Sequence, residues 1–177
     1  MTEHSDPYLR NRRCILPESY PPPQASAPNP YYASLLLEDY TGTISEMTAI
    51  NQYIYHQFMF RDHYPDLAEL IECVSIIEMK HLGLLAEAIL SLGLTPEFRT
   101  LTTYSPTYWN ATAVYYGIGI ADRLGADIDA EIQAIQLYSY HQCLINDEPI
   151  RELLGRIIRD EQHHLVLFRQ AYAQYCP

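Results

Sequence analysis

The sequence predicts an all-α fold: a four-helix bundle of two antiparallel helical hairpins joined by a long crossover. Three observations carry this. First, Glu-x-x-His occurs twice, at Glu78–His81 and Glu161–His164, each inside an apolar stretch of helical period. That spacing puts a carboxylate and an imidazole on one helix face, a turn apart. Second, the run from Glu46 to His56 aligns with the run from Glu131 to His141, matching Glu, Ala, Ile, Tyr, Tyr and His at the same offsets. Third, Asp62 lies midway between Glu46 and Glu78, and Asn146 midway between Glu131 and Glu161; both positions read as turns. Residues equidistant from the turn of an antiparallel hairpin sit at one height, so each hairpin sets a single Glu level with a Glu-x-x-His. Two similar hairpins imply a pseudo-twofold bundle with a shared central site.

Taken in order, residues 1–30 are polar and proline-rich, including Pro21-Pro22-Pro23, Pro28 and Pro30. Such a segment offers little apolar surface to offset its ordering entropy, and is expected to be a tail that stays mobile or drapes over a partner. The bundle is expected over 31–177. Leu35, Leu36, Ile44, Met47, Ile50, Ile54 and Phe58 recur at helical spacing and predict one long helix to about Arg61. Pro65 ends the following turn and opens a second helix, which Gly93 closes before Pro96. Residues 94–118, rich in Thr, Tyr and Pro and holding Trp109, form the crossover, with a short helical piece expected between Tyr108 and Tyr115. A third helix follows from about Gly119 to Ile145. The turn Asn146-Asp147-Glu148-Pro149 leads to a fourth, reaching about Gln174.

With 48% apolar and 19% charged residues, 177 residues suit one globular core. The net charge of −11 argues against nucleic acid or an anionic membrane as partner. Cys14, Cys73, Cys143 and Cys176 contain no Cys-x-x-Cys pair, which excludes a rubredoxin-like or zinc-ribbon module by spacing. Cys73 and Cys143 fall in apolar helical runs and are expected as buried thiols. The N-terminus lacks the apolar core of a signal peptide and no apolar run is long enough to span a bilayer, so a cytoplasmic protein is expected.

Two Glu-x-x-His helices with two helices giving one Glu each are the ligand set of carboxylate-bridged dimetal bundles. The candidate ligands are therefore Glu46, Glu78, His81, Glu131, Glu161 and His164. Four buried carboxylates require compensation, and two divalent ions would supply it. Carboxylate with imidazole suits iron, manganese or cobalt, and the lack of thiolate disfavours structural zinc. Glu78 and Glu161 are expected to bridge, with Glu46 and Glu131 terminal and each His capping one metal. Tyr53 and Tyr138, two turns beyond their Glu, are candidates to hydrogen-bond the ligand carboxylates. Core packing with a satisfied hydroxyl is the alternative reading of both. Asp127 and Asp160 are candidates to orient the ligand histidines, while His56 and His141 are expected to be structural or to line an entry path.

These residues resemble a known family. Ser45-Glu46-Met47-Thr48-Ala49-Ile50-Asn51-Gln52-Tyr53 is similar to the first-helix signature of bacterioferritins. Glu78-Met79-Lys80-His81, Asp127 to Glu131, and Asp160 to His164 resemble the motifs of their other three helices. The resemblance implies a ferritin-like bundle with a di-iron centre, in a superfamily that includes rubrerythrins and manganese catalases. It departs from cage-forming bacterioferritins in lacking the short fifth helix, so a homodimer or small homo-oligomer is expected. It departs from rubrerythrins at Ala134, where they carry an extra glutamate, and in having no rubredoxin domain, so the electron donor would be separate. Met79 matches the methionine that holds haem in bacterioferritin dimers; a helical methionine is usually core filler, and haem is not expected. The function expected is oxidation of Fe(II), or reduction of O2 or H2O2, at a di-iron centre. The alternatives are peroxide disproportionation at two manganese ions, and a non-enzymatic, metal-stabilised assembly or coat protein.

Overall fold

The computed structural model describes residues 14–102 and 105–176. Five α-helices dominate it: α1 (Pro30–Thr41), α2 (Glu46–Phe60), α3 (Pro65–Ser91), α4 (Ile120–Leu144) and α5 (Glu148–Tyr175). The tightest pairings are α2 with α3 and α4 with α5, the two expected hairpins of a four-helix bundle.

The first helix is not continuous as expected; it breaks between Thr41 and Glu46. Gly42 leaves α1 in an extended conformation, and a Cβ there would lie 2.6 Å from the Glu38 carbonyl. Ser45 then caps α2, its hydroxyl accepting from the Thr48 amide at 3.3 Å. Hydroxyl capping of a fresh N-terminus competes well with continued helix, because it satisfies an otherwise orphaned amide. The break puts Glu46 in the first turn of α2, where the helix dipole favours negative charge.

The remaining ends follow from local chemistry. Asn29 caps α1 and Asp147 caps α5 through their side chains, with Pro30 and Pro149 in the first turns. Gly93 takes φ +97° after α3, so its missing Cβ lets the chain turn back. The crossover holds a two-stranded ribbon (β1 Arg99–Thr100, β2 Thr107–Tyr108) and a single 3-10 turn at Ala111–Ala113, the short helical piece expected there. It is pinned to α2. Trp109 donates to Thr48 Oγ1 at 2.9 Å, and the Tyr115 amide to Gln52 Oε1 at 3.1 Å.

The tail corrects another expectation. Residues 1–13 lie outside the described residues, but from Cys14 onward the tail lies against its own bundle. The amides of Ala25 and Ser26 donate to Ser91 and Asp147, and Asn29 donates to the Leu92 carbonyl. Prolines keep such a strap extended before it docks, which lowers the entropy lost. Cys73 is not a free thiol: it is disulfide-bonded to Cys14. Cys143 is exposed rather than buried. Met79 is 44% exposed, so it is not core filler either.

Two apolar clusters form the core. One joins α1 to the end of α3 and the start of α5 through residues such as Leu36, Leu85, Ile89 and Leu154. The other joins α2, the start of α3 and the end of α5 through Tyr53, Phe60, Ile71 and Phe168. Glu78, His81, Glu161 and His164 fall in sequence between the two clusters, a buried polar layer within the bundle. Among the described residues no helix is long and apolar enough to cross a membrane.

Candidate metal centre

All six candidate ligands meet in this layer, and all are buried. Glu46, Glu78, His81 and Glu161 bring one donor atom each to within 4.8 Å of one another. Glu78, Glu131, Glu161 and His164 do the same. Glu78 and Glu161 belong to both groups, which is the arrangement two bridging carboxylates would have.

Both imidazoles turn Nδ1 inward. His81 Nδ1 lies 2.9 Å from Glu78, 3.0 Å from Glu161 and 3.7 Å from Glu46. His164 Nδ1 lies 2.9 Å from Glu78, 3.3 Å from Glu161 and 3.9 Å from Glu131. Their Nε2 atoms meet other partners than the four glutamates. That of His164 donates to the Cys14 carbonyl at 2.8 Å; that of His81 faces the Tyr20 hydroxyl at 3.1 Å and Asp160 at 3.3 Å. An outward N–H bonded to an acceptor fixes the tautomer and leaves Nδ1 free as a donor, the usual arrangement behind a metal-ligating histidine.

The tyrosines act across the bundle. Tyr53 on α2 donates to Glu131 on α4 at 2.6 Å, and Tyr138 on α4 donates to Glu46 on α2. Burial, together with the adjacent carboxylates, pushes both phenols well up, so they stay protonated as donors. His56 and His141 hold structural carboxylates: His56 Nδ1 lies 2.8 Å from Asp127, and His141 Nδ1 lies 2.8 Å from Asp39. Asp127 therefore serves His56 and Gln52, not a candidate ligand, which corrects its expected role. It lies one turn before Glu131 on α4, a register that faces α2. Asp160 does face His81.

Without cations, burial and the close ion pairs push the groups of the cluster in different directions. Burial first, then the charges of Glu78 and Glu161, raises Glu46 well above the carboxylate range, and Glu131 rises for the same reasons. Burial also opposes ionisation of Glu78 and Glu161, but the two imidazoles hold both below their usual values. Burial would lower His81 and His164, yet the surrounding carboxylates raise both well above normal. Glu78 Oε1 and Glu161 Oε1 are buried and accept no well-directed hydrogen bond, although imidazole nitrogens lie about 3 Å away. Buried carboxylate oxygens without a hydrogen-bond donor are costly unless a cation takes them up. With two imidazoles and no thiolate, the donor set fits two divalent ions of iron or manganese type.

A cleft of about 570 Å³ between α2 and α4 leads to the cluster; Glu46, Tyr53, Glu78, Glu131, Tyr138 and Glu161 all line it. Exposed Asp122 and Asp129 also lie along it and favour approach by cations.

Reading the sequence alone missed three groups: Tyr20, Arg156 and the Cys14 carbonyl. Arg156 is fully buried, its Nη1 2.7 Å from Asp160, while its Nη2 and Nε donate to the Leu16 and Glu18 carbonyls. The pair Arg156 and Asp160, four residues apart on an apolar face, was the available signal.

Residues 44–174 match the ferritin-like domain, and the chain belongs to that family. It is 29% identical over 164 residues to a probable manganese catalase of Clostridium acetobutylicum, an alignment covering 81% of this chain and 71% of that protein. Its fold superposes on KatB, a manganese catalase from Anabaena, with a TM-score of 0.80 at 23% identity, over 90% of this chain and 80% of that one. The bacterioferritin BfrA of Mycobacterium tuberculosis gives a TM-score of 0.66 at 24% identity, over 84% and 87% of the two chains.

Proposed function

We propose that this chain is a dimetal-carboxylate oxidoreductase that consumes hydrogen peroxide. The observation that carries the reading is the buried set of four carboxylates and two inward-facing imidazoles, with Glu78 and Glu161 common to two donor groups, beside an acidic cleft. Glu46, Glu78, His81 and Glu161 would hold one ion, and Glu78, Glu131, Glu161 and His164 the other. Two such ions, when bound, supply the two-electron redox chemistry that peroxide turnover needs.

The chain's own residues prepare the place for that chemistry. Tyr53 and Tyr138 each donate to one carboxylate oxygen, Glu131 Oε1 and Glu46 Oε1, which restricts how those carboxylates can turn. The Nε2 contacts hold both imidazoles with Nδ1 inward. The apolar clusters above and below lower the polarity around the layer, strengthening each electrostatic contact. The cleft between α2 and α4 gives a small oxidant a route.

Disproportionation of two H2O2 to O2 and two H2O at a dimanganese centre is the finer reading, supported by the likeness to manganese catalases over most of the chain. A di-iron centre that oxidises Fe(II) with O2 or H2O2 is the second reading, favoured by the helix motifs and the bacterioferritin-like fold. Elemental analysis of protein purified from its native host separates manganese from iron. Oxygen evolution from H2O2 against stopped-flow oxidation of added Fe(II) then separates the reactions; absence of both sinks the proposal. Glu161→Ala is expected to lose at least one ion, and retention of two per chain would show the ligand assignment to be wrong. Assembly as a homodimer or small oligomer and a cytoplasmic site of action belong to the same proposal; only reduction of O2 or H2O2 at a di-iron centre would need a separate electron donor, since disproportionation balances its own electrons.

A further inference from the structure

The described part of the tail does more than lie on the bundle: it touches the back of both candidate ligand imidazoles. Cys14 offers its carbonyl to His164 Nε2, and six residues later the Tyr20 hydroxyl meets His81 Nε2. The Tyr20 hydroxyl donates onward to Asp160, which also accepts from the Leu16 amide at 3.1 Å and pairs with Arg156. Its ring is held between two cations, with Arg156 and Lys80 each 4.4 Å from the ring centre. Arg156 ties the strap down again through the Leu16 and Glu18 carbonyls. One covalent bond anchors the start of this segment, the disulfide from Cys14 to Cys73 on α3. Cys73 is only partly buried, whereas Cys14 is 1% exposed.

Resting on the dimetal reading above, we propose that Tyr20 and the Cys14 carbonyl are positioning groups for His81 and His164, and that the Cys14–Cys73 disulfide sets whether they are in place. Contacts behind a ligating histidine fix its orientation, and their loss costs about 10- to 100-fold in metal affinity. The disulfide makes that contact conditional on thiol chemistry. A dithiol attacking on the side of Cys73, the less buried of the two residues, breaks the S–S bond. Two electrons and two protons pass to Cys14 and Cys73, and the dithiol closes to its own disulfide. Freed of its anchor, the strap is expected to release the Cys14 carbonyl from His164, while Tyr20 is held by non-covalent contacts. A peroxide-consuming centre with such a clamp would hold its metals most firmly under oxidising conditions.

The test uses the full chain loaded with Mn(II), and release of Mn(II) into excess EDTA followed by electron paramagnetic resonance. Four samples are compared: oxidised wild type, wild type reduced by a phosphine that is then removed, Cys14→Ser with Cys73→Ser, and Tyr20→Phe. A thiol assay confirms that reduction exposes two further thiols. Release is expected about tenfold faster in the reduced protein and in the double serine variant. Tyr20→Phe keeps the ring between its cations but removes the hydroxyl. It is expected to speed release while leaving the strap as resistant to protease as in wild type, which a purely packing role would not do. An oxidised wild type that fails to take up two ions overturns the dimetal reading, and this one with it. Normal uptake, with release unchanged on reduction or unchanged in Tyr20→Phe, overturns this proposal alone.

Discussion

Loading the metal-free protein with two divalent cations should expel about four protons per chain in mildly acidic solution. The count comes from the charge of the buried layer. Before loading, Glu78 and Glu161 are carboxylates held down by His81 and His164, which are themselves imidazolium ions, while Glu46 and Glu131 are kept protonated by burial and by their ionised neighbours. That layer is neutral. After loading, four carboxylates balance two divalent ions and both imidazoles must be neutral to ligate, so the layer is neutral again. The difference is two carboxylic protons and two imidazolium protons. A net charge in so buried a layer would cost several kcal/mol per uncompensated ion, which is why the two states should match. The sign follows: protons compete with metal, so apparent affinity rises with pH until these groups have titrated. Calorimetric titration of Mn(II) into the metal-free protein, repeated in buffers of different ionisation enthalpy, gives the proton count as a slope. A slope near zero would refute the reasoning, because it would mean that the carboxylates stand ionised and the imidazoles neutral before any cation arrives.

Three further outcomes are expected. The Cys14–Cys73 bond closes a loop of 59 residues, so replacing both cysteines with serine should lower the urea-unfolding free energy of the metal-free protein by about 4 kcal/mol; an unchanged midpoint would show that the strap adds nothing to the fold. Tyr53→Phe strips Glu131 of its phenolic donor and should cost about 1–3 kcal/mol in thermal unfolding of the metal-free protein. Phe168, fully buried with its ring centre 5.3 Å from that of Tyr53, should cost about 3–5 kcal/mol on change to alanine, read by denaturant titration.

The parts of this fold that were legible in the sequence are those written in periodicity. Helical spacing and turn residues located the two hairpins, and the equal heights of Glu46 with Glu78 and of Glu131 with Glu161 brought six distant side chains to one layer. The break at Gly42 was less legible because apolar residues continue in helical phase on both sides of it; only Gly42 and the hydroxyl of Ser45 mark the new cap. Cys73 looked like a buried thiol because its own helix carries no trace of its partner, and a disulfide to a residue 59 positions away leaves no local pattern. Tyr20 was hidden for a similar reason. A proline-rich strap has no period, and what its side chains meet depends on where each rigid stretch happens to dock.

The internal repeat explains both what was visible and what was not. Residues related by it do equivalent work: Tyr53 and Tyr138 each hold the other hairpin's single Glu, and His56 and His141 each pair with a buried Asp. Each link joins the two halves of the bundle, so a residue kept in both copies marks a reciprocal contact. Behind the imidazoles the copies diverge. The residue before Glu161 is Asp160, but the residue before Glu78 is Ile77; five positions before Glu161 stands Arg156, but five before Glu78 stands Cys73. Asp160 and Arg156 give His81 an acceptor and the strap a buried cation. The other copy has neither, and there Cys73 bonds Cys14, whose carbonyl supplies the acceptor that His164 would otherwise lack. The strap thus reaches both imidazoles by hydrogen bonds but is secured differently beside each, by the Arg156 and Asp160 contacts behind His81 and by the disulfide to Cys73 next to the carbonyl that meets His164. That is why the inner donors could be read from symmetry while the groups behind them could not.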